Sequence, residues 1–196
     1  MIETERLILR PLSPQDEEAF IRGIADDELR RMYGFPAELS EDTARRIFAQ
    51  FSKQPAFGLV RKTDGALVGF LLDVAPELTE EMLRSLPEGG RTLAYATFPL
   101  YQRQGYMREA LAALIEEHFH SKSTPYIHCG HIPFNEPSEK LLLSLGFTHY
   151  GQHALGKATI IDKIRFKVKK MGPCKAPSFF VVVSSVSARY TWSSAA

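Results

Sequence analysis

The chain has 196 residues, of which 44% are hydrophobic and 24% are charged, and its formal net charge is +1. These values are typical of one globular domain, and they exclude the broad positive field that attracts nucleic acids or acidic membrane surfaces. No signal-type segment opens the chain, and no apolar run approaches the roughly 18 residues of a membrane span, so we expect a cytoplasmic protein without nucleic-acid or membrane partners. Its two cysteines, Cys129 and Cys174, lie far apart and favour a reducing compartment.

The first quarter of the chain predicts one strand and two helices. Residues 5–10 alternate around Leu7 and Leu9, as in a half-buried strand. Ser13 is a suitable cap for a helix that reaches about Ile24, and a second helix follows Ser40. Between them, residues 26–39 have a mixed pattern, so we expect an irregular segment on the surface.

A hairpin and a polar insertion follow. The apolar stretches 56–62 and 67–74 flank Asp64-Gly65, a dipeptide that favours a tight turn between antiparallel strands. Residues 76–90 are polar and contain a short helical pattern around Met82. Because loops carry specificity, we expect this insertion and the segment 26–39 to shape a substrate pocket.

The second half of the chain alternates strands with helices. A strand at 92–98 and a loop at 99–105 precede a helix to about His120, whose predicted core face carries Leu111, Leu114, Ile115 and His118. A strand at 126–130, a helix at 136–145 ended by Gly146, and strands at 148–155 and 159–169 complete the pattern. The order predicts an α/β (α+β) fold with a mixed, mostly antiparallel sheet and helices on both faces.

Residues 1–169 are therefore predicted to form the domain, and residues 170–196 a C-terminal extension. Gly and Pro interrupt the start of the extension, and its end is rich in Ser and Ala. An added edge strand, a contact with another subunit and a disordered remnant are alternatives that the sequence leaves open.

The loop before the central helix has the features of an anion site. A strand ends, the chain turns, and a helix opens at Gly105. Unpaired N–H groups and the helix dipole at such a start attract phosphate, and a glycine lets the backbone approach closely. Many loops of this kind bind nothing, so this feature alone does not establish a function.

A resemblance to a known family makes the interpretation specific. The run Gln-Arg-Gln-Gly-Tyr-Met at 102–107 resembles the pyrophosphate loop of the GNAT superfamily of N-acetyltransferases. The continuation to Leu111, the opening run 4–11, and Asn-Glu-Pro-Ser at 135–138 followed by Leu-Gly-Phe at 145–147 resemble the branch that includes ribosomal-protein N-terminal acetyltransferases. Asp162 before the last strand also fits, and the likeness covers about residues 2–168 in the expected order.

The resemblance implies transfer of an acetyl group from acetyl-CoA to an amine acceptor, either a protein N-terminus or a small molecule, without a metal. It implies that the strand end would pair with the pantetheine arm and offer one N–H to the acetyl carbonyl, and that Ser138 would lie near the sulfur. Gln102 would brace the loop. The implied cofactor-binding residues are Thr97, Phe98, Gln102, Arg103, Gln104, Gly105, Tyr106, Met107 and Asn135.

Several positions depart from the family pattern. Arg103 and Met107 stand where small residues are frequent, and Leu142 stands where many relatives carry a tyrosine general acid. Ser138 remains the candidate for the catalytic residue, with helix capping as the alternative. Relatives often place a glutamate base where this chain has Thr92, so the base is unassigned, and we interpret the six histidines as surface or packing residues.

The departures leave other functions open. One alternative is an acetyltransferase for a small amine or an antibiotic. Another is a CoA-binding protein that has lost catalysis. A homodimer is also compatible with the sequence.

Overall fold

The computed structural model describes residues 1–76, 78–155 and 158–166. Within these ranges, no helix has both the length and the apolar character that a bilayer crossing requires. The predicted C-terminal extension lies outside the described residues.

Fourteen strands and α-helices follow one another along the described residues. The strands are β1 (Ile2–Glu3), β2 (Leu7–Pro11), β3 (Ala56–Arg61), β4 (Leu67–Val74), β5 (Arg91–Thr97), β6 (Tyr126–His131), β7 (Thr148–Leu155) and β8 (Ala158–Phe166). The α-helices are α1 (Glu17–Ile24), α2 (Asp27–Tyr33), α3 (Glu41–Phe51), α4 (Glu80–Arg84), α5 (Tyr106–His120) and α6 (Glu136–Ser144). Short 3-10 turns cover Pro14–Asp16 and Pro99–Tyr101.

The strands form an eight-stranded sheet in the order β1-β2-β3-β4-β5-β6-β8-β7. β5 and β6 are parallel, with Arg91 opposite Ile127 and Thr92 opposite His128. Antiparallel pairs are formed by β1 with β2, β2 with β3, β3 with β4, β6 with β8, and β7 with β8. The predicted class, a mixed and mostly antiparallel sheet with helices, is therefore confirmed.

The predicted strands and helices agree with the structure where a local sequence signal was strong. Ser40 caps α3 by accepting a hydrogen bond from the N–H of Thr43, and the hairpin turns at Gly65 with a positive φ of 71°. Two features were missed. Residues 2–3 add the short strand β1, and the segment expected to be irregular contains α2, which Asp26 caps at its start and Gly34 ends in the left-handed conformation.

The chain divides into two compact units. The first unit comprises Met1–Val74 and Leu93–His118. Its core is rich in phenylalanine: the ring of Phe70 lies 5.3 Å from that of Phe20 and 5.1 Å from that of Phe51. The predicted core face of α5 is buried as expected, with Leu111 and Leu114 fully inaccessible.

The second unit comprises Ala75–Thr92 and the described residues from Phe119 onward. Here α4 packs on β7, because the hydroxyl of Tyr150 donates a hydrogen bond to the carbonyl of Met82. The helix α6 ends at Gly146, whose φ is 81°, and the N–H of Phe147 then donates back to the carbonyl of Leu142. Several polar side chains are buried in this unit, and they are described below.

Candidate functional site

The loop between β5 and α5 turns through two residues with positive φ. Arg103 has φ of 59° and Gly105 has φ of 81°. The carbonyl of Gly105 accepts the N–H of Glu109, so α5 starts directly after this glycine. The first N–H groups of a helix have no acceptor within the helix, and its dipole makes this end partially positive. This geometry suits an anion such as a phosphate.

Hydrogen bonds within the loop hold its shape. The side-chain amide of Gln102 donates to the carbonyl of Thr97 over 3.2 Å, and that of Gln104 donates to the carbonyl of Leu100 over 3.1 Å. Both glutamines are exposed, as is Arg103. The loop therefore keeps its conformation through its own side chains.

The two side chains that follow Gly105 turn into the protein. Tyr106 is 7% exposed and Met107 is 6% exposed. Met107, which stands where the family pattern has a small residue, therefore does not lie over the helix start. A Cβ on Gly105 would lie 3.4 Å from Nη2 of Arg6, and any side chain there would also require a strained positive φ. Gly105 keeps the approach to the amides open.

A clamp between the start of the chain and α5 was not predicted from the sequence. The carboxylate of Glu109 accepts hydrogen bonds from the hydroxyl of Thr4 and from the N–H and Nε of Arg6. Nη1 of Arg6 also donates to the carbonyl of Gln104, over 2.9 Å. These residues are about a hundred positions apart in sequence, and no local pattern indicates their contact.

The electrostatics of the clamp favour an ionised Glu109. Partial burial by itself raises the pKa of Glu109, but the hydrogen bonds from Thr4 and Arg6 outweigh it, so the pKa is lowered. The guanidinium of Arg6 also lies 4.7 Å from the ring centre of Tyr106. Arg6 therefore connects the loop, the first residue of α5 and the carboxylate of Glu109.

The end of β5 presents alternate backbone groups to its two edges. The N–H of Phe98 donates to the carbonyl of Val68 on β4, and the ring of Phe98 lies in the aromatic core beside Gly23. Phe98 thus uses its amide and its side chain inside the first unit. Because neighbouring residues in an extended strand point their N–H groups to opposite edges, the N–H of Thr97 points away from β4.

The other two predicted residues lie at the start of α6 in the second unit. Asn135 caps this helix, and its Oδ1 accepts the N–H of Ser138 over 3.1 Å. Ser138 is partly exposed. Leu142, at the position where many relatives carry a tyrosine, is fully buried.

A cleft of about 490 Å³ lies beside α2 in the first unit. Its wall contains charged residues from α2 and apolar residues from the segment that follows, namely Asp27, Arg30, Arg31, Phe35 and Ala37. The guanidinium of Arg30 is held by Asp27 and by the carbonyl of Ala25. The cleft lies in the segment that we expected to shape a substrate pocket.

Four polar side chains in the second unit form a buried chain of hydrogen bonds. Oγ1 of Thr92 lies 2.9 Å from Nδ1 of His128, and Nε2 of His128 lies 2.9 Å from Oδ1 of Asp162. Nδ1 of His153 lies 3.0 Å from Oδ2 of the same carboxylate. Sequence reasoning interpreted these histidines as separate surface or packing residues. The available signal was the pair Asp162-Lys163 between the apolar residues Ile161 and Ile164 of β8.

Solved structures with the same fold are acetyltransferases. An acetyltransferase of the GNAT family from Bacillus anthracis superimposes with a TM-score of 0.73 at 18% identity, over 85% of this chain and 98% of that one. The ribosomal-protein-S5-alanine acetyltransferase from Vibrio fischeri superimposes with a TM-score of 0.63 at 20% identity, over 87% and 98% of the two chains. At these identities the likeness concerns the fold alone.

Sequence comparison identifies the family. The GNAT acetyltransferase domain matches residues 6–148, which is most of the chain. YoaA of Bacillus subtilis (strain 168), an N-acetyltransferase that is itself uncharacterised, is 27% identical over 157 residues, covering 77% of this chain and 84% of YoaA. The chain belongs to the GNAT acetyltransferase family, whose members transfer acetyl groups from acetyl-CoA.

Proposed function

We propose that this protein transfers the acetyl group of acetyl-CoA to a primary amine, either a protein N-terminus or a small amine, by direct attack within a ternary complex. The amine nitrogen forms a bond to the thioester carbon, the carbon–sulfur bond breaks, and CoA leaves as the thiolate. Such a reaction depends on positioning and on stabilisation of the developing oxyanion. It requires neither a covalent enzyme intermediate nor a metal.

The observation that carries the proposal is the open helix start behind Gly105. The pyrophosphate of acetyl-CoA would accept hydrogen bonds from the amides between Arg103 and Met107, where the loop is already held by Gln102 and Gln104. A prearranged set of donors costs little ordering entropy when the ligand binds. The buried Met107 supports the assignment, since its side chain leaves these amides accessible.

The end of β5 would guide the acyl arm. The resemblance implies that one strand N–H polarises the acetyl carbonyl, and we assign that donor to Thr97 rather than to Phe98. Two facts support the choice: the N–H of Phe98 already binds Val68, and alternation directs the N–H of Thr97 to the other edge. Asn135 and Ser138 would contribute from α6, with the Ser138 hydroxyl near the sulfur, as the family pattern implies.

Cofactor binding is tested by Gly105→Asp. The added carboxylate at the helix start would repel the pyrophosphate and occupy the space that glycine leaves open, so affinity for CoA measured by calorimetry should fall by at least about a hundredfold, or roughly 2.7 kcal/mol. Gly34→Asp is the matched control, because Gly34 also has a positive φ, 87°, and its added Cβ meets nothing within 4 Å. Gly34→Asp should retain wild-type affinity, and equal affinity in both variants would refute the site.

Catalysis is tested separately by thiol release with a panel of acceptors. The panel contains peptides with a free N-terminal alanine or serine, the same peptides with a blocked N-terminus, and small primary amines. Turnover with free but not blocked peptides would identify a protein N-terminus as the acceptor. CoA binding without turnover on the whole panel would favour the alternative of a CoA-binding protein that has lost catalysis.

A further inference from the structure

The buried chain that joins Thr92 to Asp162 has the order of a proton relay. Thr92, His128 and Asp162 are 4%, 2% and 0% exposed, and successive side chains are within 2.9 Å of each other. Burying polar and ionisable groups is costly unless every partner is satisfied. Such groups cluster at functional sites more often than in ordinary cores. This buried series of hydrogen-bonded side chains therefore requires an explanation beyond packing.

The direction of each hydrogen bond follows from the charge on Asp162. Burial raises the pKa of Asp162, but the hydrogen bonds from His128 and His153 outweigh it, so the pKa is lowered and the carboxylate is ionised. A carboxylate only accepts hydrogen bonds, so Nε2 of His128 carries a proton. In the neutral imidazole Nδ1 is then an acceptor, and the hydroxyl of Thr92 donates to it. The result is a hydroxyl–imidazole–carboxylate sequence.

Glycines on both neighbouring strands make room for this arrangement. Gly130 on β6 and Gly151 on β7 stand opposite Asp162 in register. A Cβ on Gly130 would lie 2.6 Å from Cγ2 of Ile160, 3.9 Å from Cε1 of His128 and 4.0 Å from Oδ1 of Asp162, so the glycine lets Ile160 pack closely against this strand. Gly130 is exposed although His128 and Asp162 are buried. Ile160 therefore covers the relay at this glycine.

The insertion lies next to the same network. A Cβ on Gly151 would lie 2.8 Å from Cε of Met82 on α4, which means that the insertion covers β7 close to Asp162. We expected this insertion to contribute to the acceptor pocket. The network and a candidate acceptor-binding segment thus lie together within the second unit.

Other titratable groups lie near His128 and Asp162. His153 contacts the far oxygen of Asp162, and Tyr126 precedes His128 by two residues on β6, where burial raises the pKa of its hydroxyl. Lys163 follows Asp162 and is engaged by Glu139 of α6 over 2.9 Å. Among the described residues, no three His, Cys, Asp or Glu side chains are arranged to hold a metal ion. Asp162 is thus the ionised group bound directly to the His128 imidazole.

We propose that Thr92, His128 and Asp162 form the proton-accepting relay of the acetyl transfer, an inference that rests on the proposed function. As the nitrogen–carbon bond forms and the carbon–sulfur bond breaks, the amine proton passes along a chain of water molecules to Oγ1 of Thr92, which lies five residues before Thr97 on β5. The hydroxyl proton of Thr92 passes to Nδ1 of His128. Asp162 stabilises the imidazolium, which then releases its proton to solvent.

The test compares four variants with the acceptor on which the wild type is most active. His128→Gln and Thr92→Val remove the proton acceptor and the hydroxyl, and each should lower kcat by about a hundredfold to ten-thousandfold. Thr92→Ser keeps the hydroxyl and should retain most of the rate. His149→Gln is the control, because His149 is an exposed histidine of β7. CoA affinity should stay unchanged in all four.

The pH profile distinguishes a relay from a structural role. If His128 accepts the proton, kcat/KM of the wild type should fall once the imidazole is already protonated, and His128→Gln should lose this acidic limb of the profile. If His128→Gln does not fold, the pair Thr92→Val and Thr92→Ser decides the question. Wild-type kcat in Thr92→Val, or an unchanged acidic limb in folded His128→Gln, would overturn the relay alone.

Two further outcomes are informative. An acetylated Thr92 detected by mass spectrometry would overturn the relay and indicate a nucleophile instead. A wild type that binds CoA but acetylates no acceptor would overturn the proposed function, and the relay with it. The failure of the inference is therefore distinguishable from the failure of the function on which it rests.

Discussion

The two compact units differ in what they bury. The first unit encloses a cluster of aromatic rings, in which Phe20, Phe51 and Phe70 contact one another at centroid distances of 5.1–5.4 Å. The second unit encloses a connected network of polar side chains, in which Asp162 binds both His128 and His153. The first unit also buries ionisable groups, namely Asp16 and the pair of His118 with Asp73. Phenylalanine packing needs no hydrogen-bonding partner, whereas a buried charge is stable only when each partner is in place.

This difference matches the tasks proposed for the units. The first unit carries the loop of Gln102 to Met107, whose binding groups are backbone amides, so the side chains around it only need to hold a rigid scaffold. In the second unit the proposed proton relay depends on side chains themselves. We infer that the aromatic core provides stability and that the buried polar chain provides chemistry at some cost in stability.

The largest expected effect is on the aromatic core. Phe70→Ala should lower the free energy of unfolding by about 3 to 5 kcal/mol, because it removes a fully buried ring and leaves a cavity among its neighbours. Urea denaturation followed by circular dichroism measures the change. Leu143→Ala is the control, since Leu143 is 51% exposed and should cost no more than about 0.5 kcal/mol.

A small loss of unfolding free energy in Phe70→Ala would contradict the proposed difference between the two units. It would mean that the ring cluster can collapse around the missing side chain, and that the stability of the first unit comes from its hydrogen bonds instead. The same result in Phe20→Ala would exclude a special property of one position.

The polar chain of the second unit should give the next largest effect. Asp162→Asn keeps the size of the side chain but removes the charge that binds two imidazoles, and one histidine N–H would then face an amide donor. We expect a loss of about 2 to 4 kcal/mol, because two hydrogen bonds to a buried carboxylate are weakened. Urea denaturation at pH 7 measures this loss.

The matched control for Asp162→Asn is Asp42→Asn. Asp42 pairs with Arg46 on the surface of α3, where the two side chains are 77% and 69% exposed. Its loss should be below about 1 kcal/mol. Equal effects of the two substitutions would show that burial of the Asp162 carboxylate has no energetic consequence, which would contradict the distinction between the units.

The sequence predicted the loop and most elements because their signals are local. A strand, a turn at Gly105 and a helix follow one another within the 30 residues 91–120, and hairpin and capping residues lie next to the elements they end. The helix α2 was missed although Asp26 and Gly34 are its caps, because its seven residues carry no clear apolar period. The ends of strands and helices that are set by neighbouring residues could therefore be predicted from the sequence.

The side-chain network could not be predicted from the sequence, for a physical reason. Thr92 and His128 are 36 positions apart, and His128 and Asp162 are 34 positions apart, so only the register of the strands brings them together. The clamp of Arg6 and Glu109 spans 103 positions. A one-residue change in strand register would turn Thr92, His128 or Asp162 to the other face of the sheet. Periodicity predicts that strands exist, not which positions face each other.

A smaller effect with a defined pH dependence is expected at Asp16, a buried carboxylate of the first unit. It accepts hydrogen bonds from both terminal nitrogens of Arg10 and from the N–H and hydroxyl of Ser13. Burial raises the pKa of Asp16, but these hydrogen bonds outweigh it, so the pKa is lowered. Asp16→Asn should cost about 1 to 2 kcal/mol at pH 7, since Arg10 is partly exposed to solvent.

The sign of the pH dependence at Asp16 follows from its lowered pKa. The unfolded chain binds a proton near the ordinary aspartate pKa of about 3.9, while the folded protein resists protonation to lower pH. The stability advantage of the wild type over Asp16→Asn should therefore be complete above about pH 5 and shrink as the pH falls below 4. Urea denaturation of both proteins from pH 7 to pH 2 measures it. An advantage that stays constant to pH 2 would show that the carboxylate acts through packing, which would make the first unit even less dependent on charge than its aromatic core indicates.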